Sequence, residues 1–549
     1  MSAFGFRLRC SRALVAGLSL LAVGCLTPDR WAVFREAPAT SPTQATTPTP
    51  AAEGAAFPVP EEYRPRLAES PTYQVPAPGE TWELSLEQSV MLALGNNRDL
   101  LVRQLNPVIA GTFEQLERGT YDPELFAELE YNKERSSETS QATEERFNLD
   151  STETGVIAGV RQPLPTGTTL EVTAEHGRDT SNRAPDQQIA RLGLSVTQSL
   201  LRGYGSAVNL ASVRQAELDT LASEYELRGF TEALLAEVEI AYWKYVLAVK
   251  EIEIFERSLA VARQQRDEIE QRIEVGILPE IEAAAARAEV ARRELALIVA
   301  QSLREERRLR LLRQVGHDLA AVAAPEIRTT SAPEMQPVAI TDLADRLELA
   351  DRSRPDLGEA RLRQEQQRLE TVVTRNGVLP RLELFMALGK TGYSETFGDS
   401  FSELGGDTHD LTAGIRFSRL LGNRSAEARH LAATVSRAQA IEAVANLREM
   451  VRLDVRLAVN SVERTRLEIA ATTATRKFQE ETLNAEQERF AVGASTALLV
   501  AQAQRDLLVS QIAEVVSVVN HRIALTELYL AEGSLLERRG IGLAGRGYR

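Results

Sequence analysis

The residue types that most often carry out chemistry are rare in this chain of 549 residues, and their spacing supports no catalytic site. The five histidines lie far apart, so no two of them share a helical turn as paired metal ligands do. They are His176, His317, His409, His430 and His521. Both cysteines lie within the first 25 residues, and no Gly-x-x-x-x-Gly-Lys phosphate loop occurs. The sequence therefore predicts neither an enzyme nor a metal or cofactor site.

The N-terminus has the pattern of an export signal. Three arginines within the first twelve residues precede an apolar run at residues 13–23, which is too short to span a bilayer. The run ends in Leu21-Ala22-Val23-Gly24-Cys25, which resembles the cleavage motif of a lipoprotein signal. That resemblance implies removal of residues 1–24 as a signal peptide and acylation of the Cys25 thiol, for example by palmitate. The alternative is an ordinary signal peptide with an incidental cysteine.

Composition predicts an extended segment before the folded part. Residues 25–80 read as a tether, because proline recurs every few residues among threonine and alanine between positions 38 and 78. The net charge of −15 disfavours nucleic acid as a partner, since phosphate binding needs a basic surface. No later segment has the roughly 18 continuous apolar residues of a membrane helix, so a membrane span would have to be made of strands.

The most informative feature is an internal repeat, in which groups of residues recur in the same order. The pairs are Asp99-Leu100 with Asp356-Leu357 and Pro123 with Pro380 (offset 257), Gln198-Ser199-Leu200-Leu201 with Ser418-Arg419-Leu420-Leu421 (offset 220), and Arg272-Ile273-Glu274-Val275-Gly276 with Arg489-Phe490-Ala491-Val492-Gly493 and Gly316 with Gly533 (offset 217). The shrinking offset indicates a longer insertion among the alternating segments of the first copy.

Each copy alternates between predicted strands and very long helices. Segments with a period of two residues predict strands at 125–131, 156–161, 169–175 and 192–199 in the first copy, and at 382–388 and 411–417 in the second. Leu164-Pro165-Thr166-Gly167 reads as a turn between two of them. The additional pair within 156–175 fits either a place beside the other strands or a separate surface hairpin.

The long helices follow from the scarcity of helix breakers. No glycine or proline occurs between Gly422 and Gly493, and only Gly229 interrupts the stretch from Gly205 to Gly276. About seventy residues at a rise of 1.5 Å give a rod of about 100 Å. Apolar residues spaced by threes and fours form a seam that needs partner helices. The seam residues are Leu234, Val238, Ala241, Tyr245, Val249, Ile252, Phe255 and Leu259 in the first copy, and Val451, Val455, Val459, Val462 and Ile469 in the second.

These parts favour a cyclic oligomer. Few strands cannot close a membrane barrel alone, and lipid does not tolerate an open strand edge. Seams of this length also exceed what one chain is expected to cover. Several subunits in a ring would complete both a shared barrel and a hollow helical cylinder.

The duplicated Arg-x-x-x-Gly turns, the Pro-Asp-Leu motif at 355–357, the strand-starting prolines and the stretch from Leu192 to Gly203 together resemble the TolC-like outer-membrane efflux family. The resemblance implies a mainly α fold with a membrane β-barrel, built from a duplicated unit of strands and long helices at 81–330 and 331–535, with a tail at 536–549. It implies a homotrimer with an α-helical periplasmic tunnel, and a mixed belt around residues 320–338 and the C-terminal region. The protein is expected to lie in the outer membrane, where its lipid provides a second anchor, and to extend into the periplasm.

The resemblance also implies partners and docking residues. The family transfers substrates from an inner-membrane transporter through a periplasmic adaptor, which docks on two helix turns. These turns correspond here to Arg272, Val275, Gly276 and Ile277, and to Arg489, Val492, Gly493 and Ala494. A tight reversal needs a residue that tolerates positive φ, so a simple helix C-cap is the alternative interpretation.

Some relatives narrow the tunnel mouth with acidic residues after the second turn. The matching positions here are Leu499 and Gln502, so that acidic gate does not carry over. Glu280 and Glu282 follow the first turn instead and would favour cations at the mouth, unless they are only the solvated first turn of a helix.

Two hypotheses remain. The first is a passive export duct of a tripartite efflux or type I secretion system. The second is a lipid-anchored periplasmic coiled-coil scaffold without a pore, whose alternating segments are loops. Neither composition nor spacing selects an exported substrate.

Overall fold

The computed structural model describes residues 81–139, 144, 146–316, 325–333, 337 and 339–542. The predicted signal peptide, Cys25 and the tether lie outside the described residues, as do parts of the predicted belt and the last seven residues of the tail. The elements in chain order are β1 (Thr81–Leu84), α1 (Leu86–Asn96), α2 (Arg98–Arg103), α3 (Asn106–Gly119), β2 (Glu124–Thr139), β3 (Arg146–Leu164), β4 (Thr168–Ser181), β5 (Gln187–Ser199), α4 (Ser206–Asn209), α5 (Ala211–Glu274), α6 (Ile281–Gln314), β6 (Glu326–Thr329), α7 (Leu343–Ser353), α8 (Pro355–Gly377), β7 (Arg381–Ser394), α9 (Phe397–Ser402), a 3₁₀ turn (Glu403–Gly405), β8 (His409–Ser418), α10 (Arg424–Ala491), α11 (Ala497–Glu532) and α12 (Leu535–Arg538).

Two very long helices dominate the fold, as the scarcity of helix breakers predicts. Helix α5 has 64 residues and continues through Gly229. Helix α10 has 68 residues. At a rise of 1.5 Å per residue, both are about 100 Å long. Within the described part of the chain, no helix is long and apolar enough to cross a membrane.

The helices lie side by side in a layer that is four helices wide at both ends. Near the strands, neighbouring contacts give the order α3, α5, α8, α10. Toward the far ends of α5 and α10, the order is α6, α5, α11, α10. Helices α3 and α6 therefore form one edge of the layer, and α10 forms the other.

The predicted seams are buried within the chain itself. Leu234, Val238 and Tyr245 of the first seam are buried, as are Val451 and Val455 of the second. Helix α5 packs against α1, α6, α8 and α11, and helix α10 packs against α7, α8 and α11. The expectation that one chain cannot cover these seams is wrong, because helices of both copies cover α5 and helices of the second copy cover α10 within the same chain.

All six predicted strands form, and they build one antiparallel sheet in the order β2-β3-β4-β5-β7-β8. The additional pair, β3 and β4, belongs to this sheet and is not a separate surface hairpin. Residues 164–167 form the turn between them, with Gly167 at φ 84°. Strands β1 and β6 form a separate parallel pair.

The repeat also appears in three dimensions, where each long helical hairpin returns to its short helix. Asn97 Nδ2 donates to the carbonyl of Gln314 over 3.2 Å. In the second copy, Arg354 Nη1 donates to the carbonyl of Ala531 over 3.4 Å. These positions differ by the same offsets, 257 and 217, that relate the two copies in the sequence.

A buried ion pair fastens the C-terminal residues to the layer. Glu239 of α5 has no exposed surface and accepts two hydrogen bonds from Arg539, over 2.6 and 2.7 Å. Thr526 of α11 donates to the same carboxylate over 2.8 Å. Helix α12 continues across the predicted boundary at 535/536, and Leu535 and Leu536 are both buried. The described start of the predicted tail is thus packed against the layer.

Replacing Arg539 by Met should lower the free energy of unfolding by about 3–5 kcal/mol, because it leaves the buried Glu239 carboxylate without its cation. Adding Glu239→Gln should recover much of that loss. The measurement is urea unfolding of detergent-extracted protein. A matched control is Arg310→Met, which removes an exposed pair with Glu306 and should cost less than about 1 kcal/mol. Equal losses for the two arginines would contradict the proposed role of burial.

Candidate functional site

The first predicted docking turn closes α5 with a Schellman motif. The amide of Gly276 donates to the carbonyl of Ile273 over 2.9 Å, and the amide of Ile277 donates to the carbonyl of Arg272 over 2.8 Å. Gly276 has φ 75°, and a Cβ placed there would meet no atom within 4 Å. Backbone conformation alone therefore requires the glycine.

The second turn has the same geometry at the end of α10. Gly493 donates to Phe490 over 3.1 Å, and Ala494 donates to Arg489 over 2.8 Å. Gly493 has φ 76°, again with open space around its missing Cβ. The two sequence motifs thus encode one backbone structure.

The two turns are neighbours in the fold. The Arg272 guanidinium lies over the Phe490 ring, 5.4 Å from its centroid. A groove of about 420 Å³ separates the ends of α5 and α10, lined by residues that include Ile269, Gln487 and Val500. Sequence motifs located both turns but gave no sign of this contact, which joins the two copies.

Apolar side chains point into solvent at both turns. Val275 and Ile277 are each 70% exposed, and Val492 is 81% exposed. Ile281, at the start of α6, is 77% exposed. Exposed aliphatic groups clustered at a chain reversal indicate an interaction surface. Val275, Ile277 and Val492 are predicted docking residues, but the sequence does not predict that they and Ile281 are exposed together.

A carboxylate beside the second turn is held in its charged form. Ser495 Oγ donates to Glu486 over 2.7 Å, and Arg489 forms an ion pair with the same carboxylate at 2.7 Å. The hydrogen bond and the ion pair hold the pKa of Glu486 below its ordinary value. Arg489 is therefore tied to its own helix, whereas Arg272 reaches across to the other copy.

The predicted mouth residues lie close to these turns. Glu280 is exposed just before α6, and Glu282 is partly buried in its first turn. Leu499 and Gln502 are exposed near the start of α11, on a face continued by Asp506. The structure thus brings the predicted docking and mouth residues to one end of the helical layer. Among the described residues, no cluster of three or more metal-binding side chains occurs.

The sheet at the other end separates its side chains by face. Alternate residues of each strand form an apolar face, most of it exposed, with Leu125 81% and Ile415 69% exposed. Its aliphatic and aromatic residues include Leu125, Ala127, Leu129, Val156, Ala158, Val160, Leu170, Val172, Ala174, Leu192, Leu194, Val196, Leu384, Met386, Leu388, Leu411, Ala413, Ile415 and Phe417. An exposed apolar sheet face of this extent is suited to lipid.

The opposite face is charged. Carboxylates outnumber guanidinium groups on it, the acidic residues being Glu124, Glu128, Glu130, Glu134, Glu138, Glu153, Glu171, Glu175, Asp179, Glu383 and Asp410, and the basic ones Arg161, Arg191, Arg381 and Arg416. Ion pairs connect the strands: Arg161 of β3 lies 2.7 Å from Glu171 of β4, and Arg191 of β5 reaches across β7 to Asp410 of β8 at 2.8 Å. A polar surface with an excess of negative charge therefore lies behind the apolar face.

Comparisons with known proteins agree with this geometry. Residues 347–534 match the family described as "Outer membrane efflux protein". The fold is similar to the solved outer-membrane channel OprN (TM-score 0.61, 18% identity, 82% of this chain and 90% of that chain). It is similar to a membrane protein from Pseudomonas aeruginosa (TM-score 0.61, 22% identity, 85% and 100%) and to the Campylobacter jejuni CmeC outer membrane channel (TM-score 0.59, 16% identity, 82% and 86%). No curated protein sequence matches the chain.

The fold is that of outer-membrane channel subunits, in which strands and long helices occur in one chain. Within this class, residues 347–534 match the outer membrane efflux protein family, which agrees with the resemblance seen in the sequence. The structural similarity extends over the first copy as well, since it covers more than four fifths of the chain.

Substituting Ala for Gly276 or Gly493 should destabilise the corresponding helical reversal by about 1–2 kcal/mol, because an L side chain is strained at positive φ. Amide hydrogen exchange around the substituted turn should speed up by about tenfold, while exchange in the sheet is unchanged. Gly111→Ala is the control, since this helical glycine also has open space around its Cβ position but no positive φ. Unchanged exchange in both turn variants would show that positive φ is not the constraint.

Proposed function

We propose that three copies of this chain form a passive export duct across the outer membrane and the periplasm. The duct is the outer-membrane component of a tripartite efflux or type I secretion system. A periplasmic adaptor docks on its helix turns and connects it to an inner-membrane transporter. Acylated Cys25 adds a lipid anchor in the same membrane.

The observation that carries the proposal is the separation of faces in the six-stranded sheet. Its apolar face suits lipid, and its charged face suits a water-filled lumen. Strands β2 and β8 each have one paired neighbour among the described residues, so the sheet ends in two open edges. Because lipid does not tolerate open edges, the sheet needs further copies to close into a barrel.

The helical layer supports the same closure. Its two edges carry exposed apolar residues spaced along one side of each helix. They are Ile109, Phe113 and Leu116 of α3, Leu295, Ile298, Val299 and Leu309 of α6, and Leu431, Val435, Met450, Leu453, Leu457, Leu467 and Phe478 of α10. Packing α10 of one copy against α3 and α6 of the next covers both stripes and closes a ring.

The scaffold hypothesis has lost its premise. It required the alternating segments to be loops, whereas all six are strands in one sheet. An anchored scaffold has no need of a sheet with a lipid-suited face and a charged face. Export through a passive duct uses both.

The helix turns supply the docking surface of the duct. Val275, Ile277 and Val492 offer apolar contacts, and Arg272 and Arg489 offer charge beside them. Glu280 and Glu282 give the mouth negative potential, while Leu499 and Gln502 occupy the positions after the second turn. An adaptor with paired apolar and acidic groups fits this end.

Protein purified from outer membranes should run as a trimer and give stable conductance in a planar bilayer, with cations favoured over anions. Changing Glu130 and Glu134 to Gln should reduce that selectivity while conductance remains, because both carboxylates lie on the charged face. Lys133→Gln is the control on the opposite face of the same strand. A non-conducting monomer that leaves the membrane once Cys25 is replaced would contradict the duct and favour the scaffold.

Replacing Val275 and Val492 together by Asp should abolish co-purification with the adaptor, because the exposed aliphatic contacts are replaced by charges. Conductance of the purified trimer should stay unchanged, since the turns lie far from the sheet. Leu453→Asp on the side of α10 is the matched control, and should weaken the trimer instead. Retained adaptor binding in the double Val variant would remove the turns as the docking surface.

A further inference from the structure

The sheet consists of one hairpin built three times. In the first hairpin, Glu124 forms an ion pair with Arg161 at 3.7 Å, and the Arg161 guanidinium lies 5.0 Å from the ring centroid of Phe126. A Cβ on Gly159 would come within 2.8 Å of that ring, so the glycine makes room for the phenylalanine. Hairpin β2–β3 thus carries a Glu-x-Phe sequence opposite Gly-x-Arg.

Hairpin β7–β8 repeats these contacts residue for residue. Glu383 pairs with Arg416 at 3.3 Å, and Arg416 lies 5.3 Å from the ring centroid of Phe385. A Cβ on Gly414 would come within 2.6 Å of the ring. The strands therefore align at an offset of 259 residues for Glu-Leu-Phe, two more than the offset of the preceding prolines.

The middle hairpin, β4–β5, has the same frame with smaller side chains. Glu171 lies opposite Ser195, and Thr173 lies opposite Gly193. A Cβ on Gly193 would come within 2.6 Å of the Thr173 hydroxyl. Gly193 therefore corresponds to Gly414, at an offset of 221. The offset of 220 taken from the sequence would place residues of the apolar face on the charged face.

The junction between β5 and β7 is a template for the junction between copies. Strand β5 leads into the long helix α5 as β8 leads into α10, and β7 follows α8 as β2 follows α3. In the β5–β7 junction, Ser195 lies opposite Ala387. Ser195 corresponds to Arg416, and Ala387 corresponds to Glu128. Transferring this register places Arg416 opposite Glu128, a pair of opposite charges on the charged face.

We infer that β8 of each copy pairs antiparallel with β2 of the next, with Arg416 opposite Glu128 of that copy, so that three copies close a barrel of eighteen strands. The inference rests on the proposed ring of three. The same register places Ile415 beside Leu129 and Phe417 beside Ala127 of the next copy, which continues the apolar face without interruption. Glu128 has no ion-pair partner within the described chain, and the junction supplies one.

A third hairpin in each copy widens the barrel. With strands about 4.8 Å apart and tilted by about 40°, eighteen strands give a backbone diameter of about 36 Å, against about 24 Å for the twelve strands that two hairpins per copy would give. Barrels of 16–18 strands are wide enough to hold an aqueous channel. The sheet therefore suits the passage of hydrated, bulky solutes, with the specificity of transport left to other components.

Disulfide trapping tests the register. The chain has two cysteines, and neither lies in the sheet, so Glu128→Cys with Arg416→Cys adds one defined pair. Directly opposite residues lie about 4.5–5.5 Å apart, which a disulfide spans. Oxidised membranes should give covalent dimers and trimers on a non-reducing gel. Glu124→Cys with Arg416→Cys, shifted by four residues or about 13 Å, should give at least tenfold less.

A third pair controls for oxidation itself. Ser195→Cys with Ala387→Cys, at the template junction, should oxidise within one chain and leave the apparent mass unchanged. If this control oxidises while Glu128 and Arg416 do not cross-link, the register is wrong. If the Glu124 pair cross-links better, the copies follow the β3–β4 stagger, in which Arg161 faces Glu171, and the inferred register is overturned.

Charge reversal gives a second readout on the same junction. Glu128→Arg alone and Arg416→Glu alone should each lower the fraction of detergent-resistant trimer, and the double reversal should restore it. Conductance of the unmodified protein distinguishes a failure of the inferred register from a failure of the proposed duct. If the protein is a conducting trimer but the double reversal destabilises it by the sum of the two single reversals, the register is wrong and the proposed duct stands. A non-conducting monomer would contradict both the register and the duct.

Discussion

The two long helical hairpins depend on one contact that the fold makes twice, where each hairpin returns to its short helix. A Cβ on Gly316 would come within 2.6 Å of the Asn96 backbone, and one on Gly533 within 2.9 Å of the Arg354 backbone. Both glycines have positive φ, so chain reversal and close approach are met by the same residue. Because α6 and α11, which connect this joint to the far turns, are about 50 Å long, a rotation of one degree at the joint moves those turns by about 0.9 Å. The position of the two helix turns is therefore set at the joint.

The sheet obeys a different constraint, which is the assignment of its two faces. A register slip of one residue would exchange the apolar and charged faces of a strand. The Phe126–Gly159 and Phe385–Gly414 contacts oppose such a slip, because a phenylalanine ring fits only where the facing residue has no side chain. The ion pairs across neighbouring strands oppose it again on the charged face. Packing thus specifies register where the strand backbone alone would not.

The sequence predicts the repeat, the long helices and the glycine turns because each depends on local chemistry. Strands were predicted too short, since alternation stops at residue 131 in β2, whereas pairing continues to Thr139. Beyond residue 131 both faces of β2 are polar. Backbone hydrogen bonding between strands leaves no trace in the pattern of hydrophobic residues, so the strand's end cannot be read from it. The seams were identified correctly but given partners in other subunits. Apolar periodicity shows that a face is buried, not which chain buries it. For the same reason, the sequence does not predict the contact of Arg272 with Phe490.

With three hairpins in each copy, the sheet is about as wide as the helical layer. Six strands tilted by about 40° occupy about 38 Å of circumference per copy. Four helices at 8–10 Å occupy about 32–40 Å per copy. Four strands would supply only about 25 Å, so the barrel would have to narrow sharply or its strands tilt further. Each hairpin is hydrogen-bonded only to its neighbours in the sheet. A third hairpin therefore widens the sheet without changing the helices that are connected to its strands. The insertion in the first copy therefore extends the width of the helical layer through the sheet.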